Sequence, residues 1–235
     1  MRIVGLQKLT LLDYPGRVAC TVFLGGCNFR CPFCHNSQLL EGDVPAAAEV
    51  DELLAFLNKR KGILDGVCIT GGEPTIHPQL PDLLRQIKAM GYSVKLDTNG
   101  YRPDVLQAVV GEGLVDYVAM DVKNGPEAYG TTVGLAAPDL EKLEMSIRYL
   151  VEGNVDYELR TTVATPLHDE GSVEAMGQWL CKLSGGHKIR RLFVQPFVDR
   201  ETVAVAGLAA PNSEMLERFV EILRPCAEKV ELRGI

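Results

Sequence analysis

Short apolar, β-branched runs alternate along the chain with longer stretches whose apolar positions recur at helical spacing, and the alternation repeats six times. The runs at 18–24, 66–70, 93–97, 117–122, 157–163 and 191–195 predict strands. Several are apolar on both faces, the pattern of parallel strands covered by helices. The intervening spacing predicts helices over 50–59, 79–90, 103–111, 140–151, 173–183 and 213–224. Pro81 and Pro103 suit first helical turns and Gly91 a stop. Residues 229–232 have the pattern of one more short strand. Repeated βα units imply a parallel sheet, either open and doubly wound or closed into a full or partial barrel.

In a barrel the working residues gather where strands end and loops begin, and the unusual polar residues of this chain fall there. The first predicted strand runs into a cysteine-rich loop, and the second into Thr70-Gly71-Gly72-Glu73-Pro74. The third ends in Asp97-Thr98-Asn99-Gly100 and the fourth in Asp121-Val122-Lys123. The fifth carries Arg160 and Thr162, and the sixth ends in Gln195-Pro196. The expected fold is therefore α/β, a partial (βα)6 TIM-like barrel of parallel strands. Its 235 residues are expected to form a single domain with a core over 17–197, and 198–235 supplying a C-terminal helix and the last strand.

A net charge of -7 argues against a phosphate-backbone binder, which needs a basic face, so no nucleic-acid partner is expected. No apolar run approaches a membrane span, and residues 1–9 do not read as a secretory signal. The expected address is cytoplasmic, with no membrane partner. Thiols stay reduced there, so the seven cysteines are not expected to form a disulfide framework. Cys20 and Cys68 in strands, and Cys181 and Cys226 in helical patterns, read as small buried hydrophobes.

The other three cysteines lie in Gly25-Gly26-Cys27-Asn28-Phe29-Arg30-Cys31-Pro32-Phe33-Cys34-His35-Asn36. Three thiolates on one short loop suit zinc or an iron–sulfur cluster. Structural zinc wants four ligands, and His35, adjoining Cys34, is awkwardly placed to be one. A four-iron cluster normally takes four cysteines, so with three, one iron keeps a coordination position for something else. Gly25 and Gly26 permit a sharp turn, and Phe29, Pro32 and Phe33 can exclude water.

The C-x3-C-x2-C loop after a first strand, with Gly71-Gly72-Glu73-Pro74 after the second, resembles the radical S-adenosylmethionine (SAM) superfamily. Asp13-Tyr14-Pro15-Gly16, Phe23-Leu24-Gly25-Gly26-Cys27-Asn28 and Cys34-His35-Asn36 are similar to the activating proteins of glycyl radical enzymes, in particular the anaerobic ribonucleoside-triphosphate reductase activating group. The resemblance implies a 4Fe-4S cluster held by Cys27, Cys31 and Cys34, with SAM on the open iron. It implies reductive cleavage of SAM to a 5'-deoxyadenosyl radical that abstracts hydrogen from a glycine of a partner protein. A low-potential donor such as flavodoxin or ferredoxin would supply the electron.

By the same resemblance Gly71, Gly72 and Glu73 receive the SAM ammonium, and Phe33 contacts adenine. Asp97, Thr98, Asp121 and Lys123 surround the SAM carboxylate and, in some members, a monovalent cation. Asp121 and Lys123 also read as a same-face pair that satisfy one another, and Asn99 as a turn former only. Arg160 and Gln195 are further candidates for the SAM carboxylate and ribose. Hydrogen-atom abstraction needs no general base, so none of the four histidines is assigned a proton-transfer role, and His35 reads as a hydrogen-bond donor beside the cluster. Residues 124–138 and 198–212 are the candidate docking segments for a protein substrate, or plain irregular connections. The alternative is a radical SAM enzyme acting on a metabolite, such as a carboxy-deazaguanine synthase-like enzyme.

Overall fold

A computed structural model describes residues 1–40, 44–203 and 205–234. The chain divides into two compact units, each assembled from separated segments. The first takes Met1–Asn28, Gln38–Thr98 and Asp104–Ala119, and the second Phe29–Ser37, Asn99–Pro103 and Met120–Ile235.

In the first unit β1 (Ile3–Thr10), β2 (Ala19–Leu24), β3 (Gly66–Gly71) and β4 (Ser93–Thr98) lie side by side in chain order. β2, β3 and β4 are parallel, with Ala19 opposite Gly66 and Leu24 opposite Gly71. Cys20, Val22, Val67, Cys68, Ile69, Val94 and Leu96 are buried, which is why these strands read as continuous apolar runs. The helices α1 (Val50–Lys59) and α2 (Leu80–Ala89) bury the stripes their spacing defines, Leu53 and Leu57 in one, Leu80, Leu83, Leu84 and Ile87 in the other. A reciprocal cap between Glu49 and Glu52 starts α1. Helix α3 is Pro103–Gly111, and β5 (Tyr117–Asp121) straddles the division.

The second unit holds α4 (Pro126–Val133), α5 (Leu140–Val151), β6 (Asp156–Val163), α6 (Glu170–Leu183), β7 (Leu192–Pro196), α7 (Ser213–Leu223) and β8 (Val230–Leu232). β6, β7 and β8 are parallel neighbours, Leu159 facing Leu192 and Leu192 facing Val230. The fold is thus α/β with a mostly parallel sheet, and the six predicted strands and the short last one are present within about two residues of their expected bounds.

Three features depart from the sequence reading. β1 was not expected; it runs antiparallel to β2, Ile3 opposite Leu24 and Thr10 opposite Ala19, and its exposed Gln7, Lys8 and Leu9 dilute the alternation that would mark it. Residues 124–138, read as a docking segment or an irregular connection, contain α4, whose Gly130, Thr131 and Thr132 are weak helix formers. Its boundaries were nonetheless written in the sequence, Gly125-Pro126 at the start and left-handed Gly134 (φ 69°) at the end. Cys181 and Cys226, read as free hydrophobes, form a disulfide. They are 45 residues apart and meet where α7 and the turn after it pack on α6, a tertiary contact no spacing rule reveals. Cys20 and Cys68 are buried and not in a disulfide.

The C-terminal segment is anchored by charge. Arg233 donates to both oxygens of buried Glu158 on β6, at 2.7 and 2.9 Å, with its guanidinium 3.5 Å from the centroid of Phe193. Arg233→Ala takes a bidentate partner from a buried carboxylate, and the expected loss is about 2 kcal/mol of unfolding free energy, read from urea denaturation. A change within error would mean Glu158 is adequately held by its other neighbours.

Candidate active site

β2 ends at Leu24, and the chain leaves it through Gly25 and Gly26, the latter at φ 87°. Gly25 N–H donates to Arg2 O at 3.1 Å and Gly26 N–H to Leu39 O at 2.7 Å. The His77 imidazole bonds Gly25 O at 2.9 Å. The exit of β3 docks on this turn. Gly72 N–H donates to Leu24 O and Glu73 N–H to Gly26 O, both at 2.8 Å. A Cβ on Gly72 would overlap Gly26 O, and one on Gly71, at φ 117°, would overlap the Leu24 backbone. The two glycines are required by contact between two main chains, whatever else they do.

Glu73 is 1% exposed. Its Oε1 accepts from Thr75 N–H (3.0 Å), Thr75 Oγ (2.5 Å) and Thr98 Oγ (2.8 Å), capping the single turn Pro74–Ile76. Thr98 is therefore a support for Glu73. Asp97 is ion-paired with Lys95, a buried lysine on the same face of β4 that also lies 3.9 Å from Cys68 Sγ. Lys95 was overlooked, although Lys95-Leu96-Asp97 has the i, i+2 spacing that puts both charges on one face. Tyr14 of the Asp13-Tyr14-Pro15-Gly16 signature is buried against Gly66, and Asp13 accepts from Thr21 Oγ at 2.5 Å. That signature pins the β1–β2 hairpin from within the unit.

In the second unit Arg30 N–H donates to Val133 O at 2.8 Å, seating the cysteine loop on the end of α4, where a Cβ on Gly134 would overlap Arg30 O. Cys34 N–H closes a turn onto Cys31 O at 3.1 Å. Phe33 is buried with Ala164 and Phe197, and Cys31 and Leu167 pack on that cluster. Cys27, Cys31 and Cys34 are half-buried and none is in a disulfide. Burial pushes the Cys31 thiol up to about 11, against the pull of the Lys123 ammonium. The His35 ring stacks on Phe197 at 5.5 Å, and its Nε2 is buried without a hydrogen-bond partner.

Asp121, Lys123 and Arg160 come together. Arg160 Nε lies 2.8 Å from Asp121 Oδ1 and Lys123 Nζ 3.0 Å from Oδ2. Burial raises the Asp121 pKa, but the two cations outweigh it and hold the carboxyl at about 2. Burial lowers that of Lys123, and Asp121 more than restores it. All three stay charged. Lys123 Nζ also lies 5.9 Å from the centroid of Phe33. Asn99 Oδ1 accepts from Tyr101 N–H at 3.0 Å, the role of a turn former. Gln195 is partly buried near the end of β7.

The model of the radical SAM superfamily matches residues 21–179. A provisionally named glycyl-radical enzyme activating enzyme of Methanocaldococcus jannaschii is 32% identical over 240 residues, 99% of this chain and 96% of that protein. The chain belongs to the radical SAM superfamily, among the glycyl-radical enzyme activating enzymes. The pyruvate formate-lyase 1-activating enzyme of Escherichia coli K12 is 28% identical over 249 residues, 97% of each chain. Among solved structures, a domain of pyruvate-formate lyase-activating enzyme from Bacteroides vulgatus shares the fold, with TM-score 0.58 at 21% identity over 72% of this chain and 99% of that one.

This radical SAM enzyme works with a 4Fe-4S cluster and SAM. The donors fit such a cluster: three thiols on one loop, none in a disulfide, soft ligands suited to iron and sulfide, and the buried His35 Nε2 without a hydrogen-bond partner. Among the described residues no three His, Cys, Asp or Glu converge to hold a single metal ion. A cubane cluster offers each thiolate its own iron and does not ask for that convergence.

Gly72→Ala should drive the β2 exit turn away from the β3 exit, lowering unfolding free energy by about 2 kcal/mol and depressing SAM binding after anaerobic reconstitution. Wild-type SAM affinity in that variant would show that the approach of residues 26 and 72 plays no part in the site.

Proposed function

We propose that Cys27, Cys31 and Cys34 hold the 4Fe-4S cluster, and that the partner is the glycyl radical subunit of an anaerobic ribonucleotide reductase. When bound, cluster and SAM together supply the 5'-deoxyadenosyl radical that takes a hydrogen atom from a glycine. The observation that carries the ligand assignment is the set of three half-buried cysteines, none in a disulfide, on a loop fixed at Gly25 and Gly26 on one side and at Arg30 on the other.

The chain's own residues bind, orient and exclude water. The Gly71-Gly72-Glu73-Pro74 motif supports a role for the backbone at 71–73 in binding. That backbone is assigned the SAM ammonium. Lys123 is assigned the SAM carboxylate, because an ammonium has three donors and Asp121 takes one at 3.0 Å. Arg160 fixes the other oxygen of Asp121, so Lys123 is held by a carboxylate that is itself held. Phe33, Phe197 and Ala164 form the apolar wall beside Cys31, which keeps water from a reactive radical. Asp97, Thr98, Asn99 and Gln195 are assigned supporting positions around SAM.

The signature of Asp13-Tyr14-Pro15-Gly16 and Phe23-Leu24-Gly25-Gly26-Cys27-Asn28 supports the reductase as partner. End-to-end similarity to activating enzymes favours a protein substrate over a metabolite. Flavodoxin or ferredoxin is the assigned electron donor and the cytoplasm the assigned location. Among the described residues no helix is long and apolar enough to cross a membrane.

The test is anaerobic reconstitution with iron and sulfide, reduction with dithionite, and quantification of methionine and 5'-deoxyadenosine. Both should form in the wild type and neither with Cys31→Ala, whose fold, followed by circular dichroism, should persist. Adding the reductase subunit should give a glycyl radical signal by electron paramagnetic resonance. A signal only with pyruvate formate-lyase would move the partner, and SAM cleavage by Cys31→Ala would remove the ligand assignment.

A further inference from the structure

His168 lies outside every motif that marks the site, yet it is 1% exposed and both ring nitrogens are used within the second unit. Its Nδ1 lies 3.1 Å from both the nitrogen and the carbonyl oxygen of Ala164, and its Nε2 lies 2.8 Å from Lys123 O. Nε2 faces only a carbonyl, so in the neutral ring the proton sits there and donates to Lys123 O, and Nδ1 accepts from Ala164 N–H. The ring also meets Phe33 edge to face at 6.1 Å. One imidazole therefore touches the Phe33 wall, the end of β6 at Ala164, and the main chain of Lys123.

The neighbouring residue strengthens the tie. Asn124 is fully buried and its Nδ2 donates to Leu167 O and Thr132 Oγ, each at 2.9 Å, while Oδ1 accepts from Gly125 N–H at 2.7 Å. The peptide after Lys123 is thus clamped from both sides by 167–168. A lysine chain has four rotatable bonds and little reason to stay in place. With its main chain clamped and its ammonium on Asp121, the freedom left to it is small.

We infer that His168 is a positioning residue for SAM binding, acting through the main chain of Lys123. The inference rests on the assignment of Lys123 to the SAM carboxylate. The hydrogen bond to Lys123 O is the part that does the positioning. The bond to Ala164 N–H orients the ring that makes it.

His168→Gln places an amide donor at a reach similar to Nε2, whereas His168→Asn can accept from Ala164 N–H but falls short of Lys123 O. SAM affinity of the reconstituted protein is measured by the change it causes in the spectrum of the reduced cluster, and KM for SAM by 5'-deoxyadenosine formation. His168→Asn should weaken SAM binding and raise KM about tenfold with kcat nearly unchanged, and His168→Gln should restore both. Lys123→Met should weaken binding at least as much, and adding His168→Asn to it should weaken binding no further. Equal effects of Asn and Gln, or additive losses in the double variant, would overturn the inference and reduce His168 to a core residue. Should Lys123→Met leave SAM affinity intact in an enzyme that still cleaves SAM, the Lys123 assignment falls and His168 with it, while the cluster assignment stands.

Discussion

Two main-chain hydrogen bonds, from Gly72 N–H to Leu24 O and from Glu73 N–H to Gly26 O, hold the exits of β2 and β3 in direct backbone contact. No side chain can be interposed there, because a Cβ on either Gly71 or Gly72 has nowhere to go. The three residues before Cys27 inherit their path from this contact. So does Glu73, whose carboxylate is turned inward to cap Pro74–Ile76 and to receive Thr98. A motif that looks like a binding sequence is first a solution to strand packing, and its use in binding is built on that geometry.

Charge is handled in the same way. Lys95 and Asp97 on β4 are paired inside the first unit, and Asp121 answers Lys123 and Arg160 inside the second. Removing ions from water costs several kcal/mol each unless partners and hydrogen bonds are close to ideal. The pairs are therefore made in the folded chain and do not wait for a ligand. Asp121 remains ionised because two cations overcome its burial. A ligand carboxylate arriving beside Lys123 meets an ammonium already oriented, and little reorganisation is left for binding to drive.

The sequence made the parallel strands and most helices legible because they are buried on both faces or on one clean stripe, as with Ile69 and Leu96 in strands or Leu83 and Ile87 in α2. It hid β1, whose flank faces water, and α4, whose Gly130, Thr131 and Thr132 are weak helix formers. At the site, Asp121 with Lys123 and Arg160 could be placed on strand ends by counting. What counting could not supply was the pairing: that Arg160 and Lys123 take separate oxygens of one carboxylate, that Asn99 serves its own turn, or that His77 and His168 brace backbone carbonyls. Contacts between residues tens of positions apart leave no periodic trace. A histidine used as a buried brace looks the same in sequence as one used in a reaction.

The polar side chains at these strand ends are already engaged inside the protein. Glu73 Oε1 accepts three hydrogen bonds, from Thr75 N–H, Thr75 Oγ and Thr98 Oγ, so an ammonium at that oxygen would compete with them. A main-chain carbonyl has two lone pairs, and an ammonium gains comparably from it when water is excluded. The weight of the proposed recognition therefore falls on the backbone of 71–73 and on Lys123, with Glu73 and Asp121 as the buttresses that set their geometry. Within the first unit a carboxylate caps a turn, and within the second a carboxylate pairs with two cations. Each is spent on fixing a neighbour, and the ligand meets the neighbour.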